Sequence, residues 1–238
     1  MSGWANKRFW KSANSSQVPG GWAVLLDGRA VKTPAKRQLI VPTRELADPI
    51  ALEWDSQIDV VDPAMMPWTR SANAAIDKVA EQRSEVEGHL IEYAETDLLI
   101  YRADNPDGLV ARQADRWDPV LDWVASRYDV RLLPATGVMP VAQDGDALRR
   151  LAGVMSPMTH FELTGFYDLV TLSGSFSIAL AVSEGVRTAD EGWALSRLDE
   201  EWQIEQCGRD ELAEDEAELK RSAFCHAATF FSAANPIS

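Results

Sequence analysis

Residues 20–28 read Gly-Gly-Trp-Ala-Val-Leu-Leu-Asp-Gly, an apolar run held between two turn signals. Asp27-Gly28 is the stronger signal, because both central positions of a tight hairpin turn need residues that tolerate positive φ. A strand over 22–26 entering a hairpin is therefore predicted. Thr33-Pro34 and Val41-Pro42 punctuate a further short strand around 38–41, so the first forty residues read as strands and turns. From Thr43 the period changes. Leu46, Ile50, Trp54 and Ile58 recur at helical spacing, with Thr43 placed to cap the first turn and Pro49 the one residue that disfavours the helix.

Asp62-Pro63 and Met66-Pro67 bracket a linker, since a residue before proline is pushed out of the helical region. The predicted division is a β-rich domain with one linking helix over 1–64 and a larger helical domain over 65–238. Helical patterns are expected at about 69–95, 109–128, 147–155, 159–183 with a break near Ser173-Gly174, 189–206 and 210–233. The fold class is α+β: a small N-terminal β-rich part followed by an orthogonal bundle of helices.

The chain has 238 residues, enough for a sizeable core, and 37 acids against 23 bases, a balance unsuited to nucleic acid or an anionic membrane as main partner. The charge is unevenly spread. Residues 1–44 carry eight bases and one acid, residues 184–220 thirteen acids and four bases. Such faces serve either solubility or docking. Cys207 and Cys225 fit neither a zinc spacing nor a disulfide framework, so a reducing compartment is expected. The first residues carry no apolar signal core, which suggests no export, and the longest apolar run, 169–183, is too short for a bilayer span of about twenty residues.

The residues offer little to an enzyme. Gly20-Gly21 has no third glycine and no following Lys-Ser/Thr, so no phosphate cradle is expected and no cofactor is predicted. Ser173-Gly174-Ser175 lacks the flanking glycines of a nucleophile elbow and reads better as close helix packing. His89, His160 and His226 lie far apart, none paired at metal-ligand spacing, and no metal site is predicted. Asp199, Glu200, Glu201 and Glu205 could supply an acid/base pair, though a solvated helix face is the commoner reading.

Two stretches set a tryptophan among acids. In Glu53-Trp54-Asp55-Ser56-Gln57, Trp54 should pack inward with Ile50, while Glu53 and Gln57, four apart, line another face. Leu198-Asp199-Glu200-Glu201-Trp202-Gln203 repeats the arrangement, with Trp202 continuing the apolar positions Leu195 and Leu198 and Glu200 facing outward. Surfaces of this kind bind proteins. Amphipathic helices that simply bury tryptophan have the same pattern, and the residues alone leave both readings open.

These stretches are collinear with Lys7-Arg8-Phe9-Trp10-Lys11, Leu26-Asp27-Gly28-Arg29 leading to Lys32-Thr33-Pro34, Tyr93-Ala94-Glu95-Thr96-Asp97-Leu98 with Tyr101-Arg102, and Trp117-Asp118-Pro119. In this order and spacing the chain resembles the assembly chaperones of the ATP synthase α subunit over nearly its whole length. The resemblance implies a two-domain, non-catalytic protein, monomeric when free, that holds the unassembled α subunit until the β subunit replaces it in the catalytic head. It implies the cytoplasm of a bacterium or the mitochondrial matrix.

The resemblance also implies that an important carboxylate of the acidic C-terminal helix falls on Asp199 or Glu200. Partner contacts are accordingly expected at Asp199, Glu200, Gln203, Glu53 and Gln57, with Trp54 and Trp202 structural at the domain junction. One departure is Cys207 before Gly208, where the family usually has tryptophan. Two other readings stand beside this one. A small-molecule hydrolase would join Glu200 to Ser173, Ser175 or His226, and a structural adaptor would show long self-associating apolar seams.

Overall fold

The Asp27-Gly28 turn forms with φ of 46° and 81°, the left-handed pair that a two-residue hairpin of this twist needs. The structure is a computed structural model that describes residues 7–136, 141–208 and 210–235. Strand β2 (Gly21–Leu26) is the centre of the N-terminal sheet. It pairs antiparallel with β1 (Ala13–Val18), β3 (Arg29–Ala30) and β4 (Ile40–Val41). The sequence prediction around 38–41 thus appears as β4, and Lys32 and Gln38 form an isolated antiparallel bridge beside it.

Helix α1 (Arg44–Ser56) begins at Thr43, whose hydroxyl accepts from Leu46 N at 3.2 Å and donates to the Ala233 carbonyl at 2.6 Å. Pro49 lies inside α1 without ending it. Leu46 and Ile50 are fully buried in one cluster with Val24, Val41, Phe161 and Phe230. Burial of that apolar stripe outweighs the one hydrogen bond the proline forgoes.

The chain divides into two compact units. The first comprises Met1–Arg83, Thr159–Gly165 and Thr229–Ser238. The proline-marked linker therefore lies inside it, where the sequence division at 64/65 had placed an edge. Met66 is buried, and Ala72 and Ala75 belong to the core cluster of β2 and α1. Prolines restrict the backbone locally, whereas the edge of a unit lies where shared burial ends. The pattern over 69–95 is also interrupted: α2 (Pro67–Ala74) passes into a π-helical turn (Ala75–Val79), and α3 (Arg83–Glu95) follows.

The second unit comprises Ser84–Met158 and Phe166–Ala228. It holds α4 (Asp107–Tyr128), α5 (Gly145–Met155), most of α6 (His160–Ser173), α7 (Phe176–Ser183), α8 (Ala189–Ser196), α9 (Leu198–Cys207) and the greater part of α10 (Glu211–Ala234). The expected break falls at Gly174, with φ of 70°. A second break, at Arg197, splits the predicted 189–206 helix into α8 and α9. A two-residue parallel pair, β5 (Tyr101–Arg102) with β6 (Ala135–Thr136), has no counterpart in the sequence reading.

Asp97 joins two of these elements. Fully buried, it accepts from Leu99 N at 2.9 Å, Ser175 Oγ at 2.6 Å and Ser177 N at 2.8 Å. It thereby satisfies orphan donors at the start of α7 and of the short 3-10 turn after α3. Burial pushes its carboxyl up, and the hydrogen bonds pull against that shift.

Candidate functional site

In the second unit α4, α8, α9 and the first half of α10 border an open groove of about 1390 Å3. Its walls are set by the capping box at Thr188 and Glu191, which starts α8, and by Trp117, whose indole N–H donates to the Leu195 carbonyl at 3.0 Å. Across α4 and α9, Arg112 donates twice to Glu205, both bonds 2.8 Å, and lies 4.7 Å from the centre of the Trp202 ring. The paired charges hold Glu205 below and Arg112 above their ordinary values, each chiefly through the hydrogen bonds between them. Gly108 completes the seat of Trp202. A β-carbon there would lie 2.7 Å from the ring, so glycine is what allows the close approach.

Of the acids of α9, Glu200, Glu201 and Glu205 line this groove and Asp199 does not. Asp199 accepts from Gln113 Nε2 at 2.8 Å, and Gln113 itself is buried, accepting from Ala103 N at 2.9 Å. Glu200 pairs with Arg197 at 2.9 Å and keeps 46% of its side chain exposed. Glu201 and Gln203 are exposed. Glu200 thus lies on the solvent side of its helix, as its phase predicts, and Leu198 on the buried side. Trp202 is only half-buried, seated against Arg112 and Gly108. On the far wall Arg221 bridges Asp190 at 2.7 Å and Glu218 at 3.0 Å.

Glu53, Trp54 and Gln57 lie in the first unit, and the first and last of them are not on a surface. Glu53 is 8% exposed. Its carboxylate accepts from Trp68 N at 2.7 Å and from Thr69 N and Oγ1 at 2.8 and 2.7 Å, covering the free donors that begin α2. Burial pushes its carboxyl up, against those bonds. Gln57 is buried too, donating to the Glu53 carbonyl at 3.1 Å and accepting from Asp62 N at 2.7 Å. The expectation that this pair forms a partner-facing surface is corrected: three and seven positions on from Ile50, both side chains lie on its side of the helix, where the start of α2 covers Glu53 and the turn at Asp62 covers Gln57. Trp54 is half-buried against Trp10, with ring centres 5.3 Å apart. Its indole N–H is buried without a partner among the described residues.

The hydroxyls that a hydrolase would need are committed elsewhere. Ser173 donates to the Leu169 carbonyl at 2.7 Å, and Ser175 donates to Asp97 while accepting from Ile178 N. Among the described residues no group of three or more His, Cys, Asp or Glu side chains could hold a metal ion. Among the same residues no helix is long and apolar enough to cross a membrane. The sequence reading missed Arg112, Gln113 and Arg221. They sit in no motif, and the first two meet partners 93 and 86 positions away.

The sequence pattern of the ATP12 chaperone protein family matches residues 7–125. The crystal structure of Atp12 from Paracoccus denitrificans is 46% identical, superposes with a TM-score of 0.92 and is matched over 98% of its length by 96% of this chain. An aspartate-to-lysine mutant of the same organism's Atp12p gives 45% identity and a TM-score of 0.93 over the same shares. The mitochondrial protein atp12 of Schizosaccharomyces pombe is 28% identical over 214 residues, 85% of this chain and 74% of that protein. With the pattern matched across half its length and the fold shared almost end to end, the chain belongs to the ATP12 chaperone family.

Proposed function

We propose that this chain binds the unassembled α subunit of the F-type ATP synthase, keeps it from aggregating and releases it for assembly of the catalytic head, without consuming ATP. Membership of the ATP12 chaperone family carries the reading. A lone α subunit exposes apolar surface that assembly later covers, and such surface aggregates. Masking it requires a pre-formed complementary surface whose hold is weaker than that of final assembly, and no nucleotide chemistry.

The contact residues in this reading are Asp199, Glu200 and Gln203 on α9, the last two in the wall of the groove. Half-exposed carboxylates on a braced helix suit a basic patch on the client, giving register and association rate more than bulk affinity. Glu53 and Gln57 contribute indirectly, Glu53 by fixing the start of α2 and Gln57 by holding the chain at Asp62. The free chain works as a monomer, in the bacterial cytoplasm or the mitochondrial matrix.

Light scattering of isolated α subunit on warming tests the proposal. Equimolar chain should suppress the signal with no nucleotide present. Aggregation that proceeds undiminished at excess chain, or suppression that requires ATP turnover, would overturn it.

A further inference from the structure

The first half of α10 buries very little. From residue 212 to residue 223 no side chain is buried, and the first buried one is Phe224. Three turns of helix are marginal in water on their own, so this stretch is held in shape by the anchored turns that follow it. Ala213, Ala217 and Arg221 face the groove described above. Leu212 and Leu219 do not. Seven positions apart, they share the opposite side of the helix, about 10 Å from each other, and are 81% and 73% exposed.

We propose that this stretch is an arm whose leucine pair docks on an apolar patch of the client protein rimmed by basic side chains. The inference rests on the reading of the chain as a chaperone for the α subunit and adds a second contact to the carboxylates of α9. Charge selects the occupant. Residues 210–223 hold six acids and two bases, with exposed Asp215 lying between the two leucines in sequence. A second copy of the chain would bring these acids against one another, whereas a basic rim meets them favourably. An apolar centre with a charged rim is also the anatomy of a specific protein contact, with the leucines as its anchors.

The test is the double variant Leu212→Gln/Leu219→Gln, compared with the unaltered chain for capture of purified α subunit. Glutamine keeps the helix propensity and the exposed sites need no packing, so both proteins should melt together. Capture by the variant should fall at least tenfold, and amides 212–223 of the unaltered chain should exchange at least tenfold more slowly in the complex than alone. Equal capture by both proteins, or unchanged exchange in the complex, overturns the arm while leaving the chaperone reading intact. A dimer of the unaltered chain that the variant converts to monomer, with capture unchanged, overturns it in favour of self-association. Failure of the unaltered chain to capture α at all removes the underlying reading instead.

Discussion

Glu53-Trp54 on α1 and Glu201-Trp202 on α9 are the same dipeptide on two helices, each beside further acids, and they have opposite fates. On α1 the carboxylate is spent inside the protein, holding three donors at the start of α2, and the tryptophan leans on Trp10. On α9 the neighbouring acids Asp199 and Glu200 are held by Gln113 and Arg197 and remain open to solvent on one side. The difference comes from what packs above each helix. A following element covers α1, while a groove lies over α9. Composition and helical phase are shared, so neither assigns a role; the element across from the helix does.

The contrast should be sharpest in stability. Trp54→Arg removes a half-buried ring from Trp10 and puts a charge in its place, and should cost about 3 kcal/mol, read as a lower midpoint in urea and a lower soluble yield. A variant as stable as the parent would mean that the Trp10–Trp54 contact contributes nothing. Glu53→Ala comes next. It strands the two amides and one hydroxyl that the carboxylate now serves, at about 2 kcal/mol.

Glu53 also predicts a pH dependence. Burial raises its folded-state pKa above the ordinary 4.5, so between that value and the folded one the native chain binds more protons than the unfolded chain. Its contribution therefore grows as pH falls through that window and is lost as pH rises through the folded pKa. The stability difference between parent and Glu53→Ala should widen on acidification from neutrality towards 4.5. A difference that narrows would reverse the assigned direction.

The same contrast shows what could be read in advance. The Asp27-Gly28 hairpin, the Thr43 cap and the break at Gly174 were legible because each depends on residues adjacent in sequence and on backbone preferences they cannot escape. The burial of Glu53 and Gln57 was not, because it depends on how the chain turns back after α1, at Asp62 over Gln57 and at the start of α2 over Glu53. The break at Arg197 carries no glycine or proline. Of the site, Asp199, Glu200 and Gln203 were legible as an acidic helix face. The brace beneath it, Gln113 to Asp199 and Arg112 to Glu205, joins residues too far apart for periodicity to pair.

The smallest expected stability effect belongs to Glu200, and it is paired with a large effect on binding. Its ion pair with Arg197 is half-exposed and worth well under 1 kcal/mol, so Glu200→Lys should unfold within about 0.5 kcal/mol of the parent. Set against a basic patch on the client, the reversed charge should weaken capture of α subunit by about 1–3 kcal/mol, roughly tenfold or more. The direct measurement is a titration of purified α subunit with the parent and with Glu200→Lys at low salt, alongside their urea midpoints. The account predicts matching midpoints and a Kd at least tenfold higher for the variant; equal Kd values with matching midpoints would contradict it.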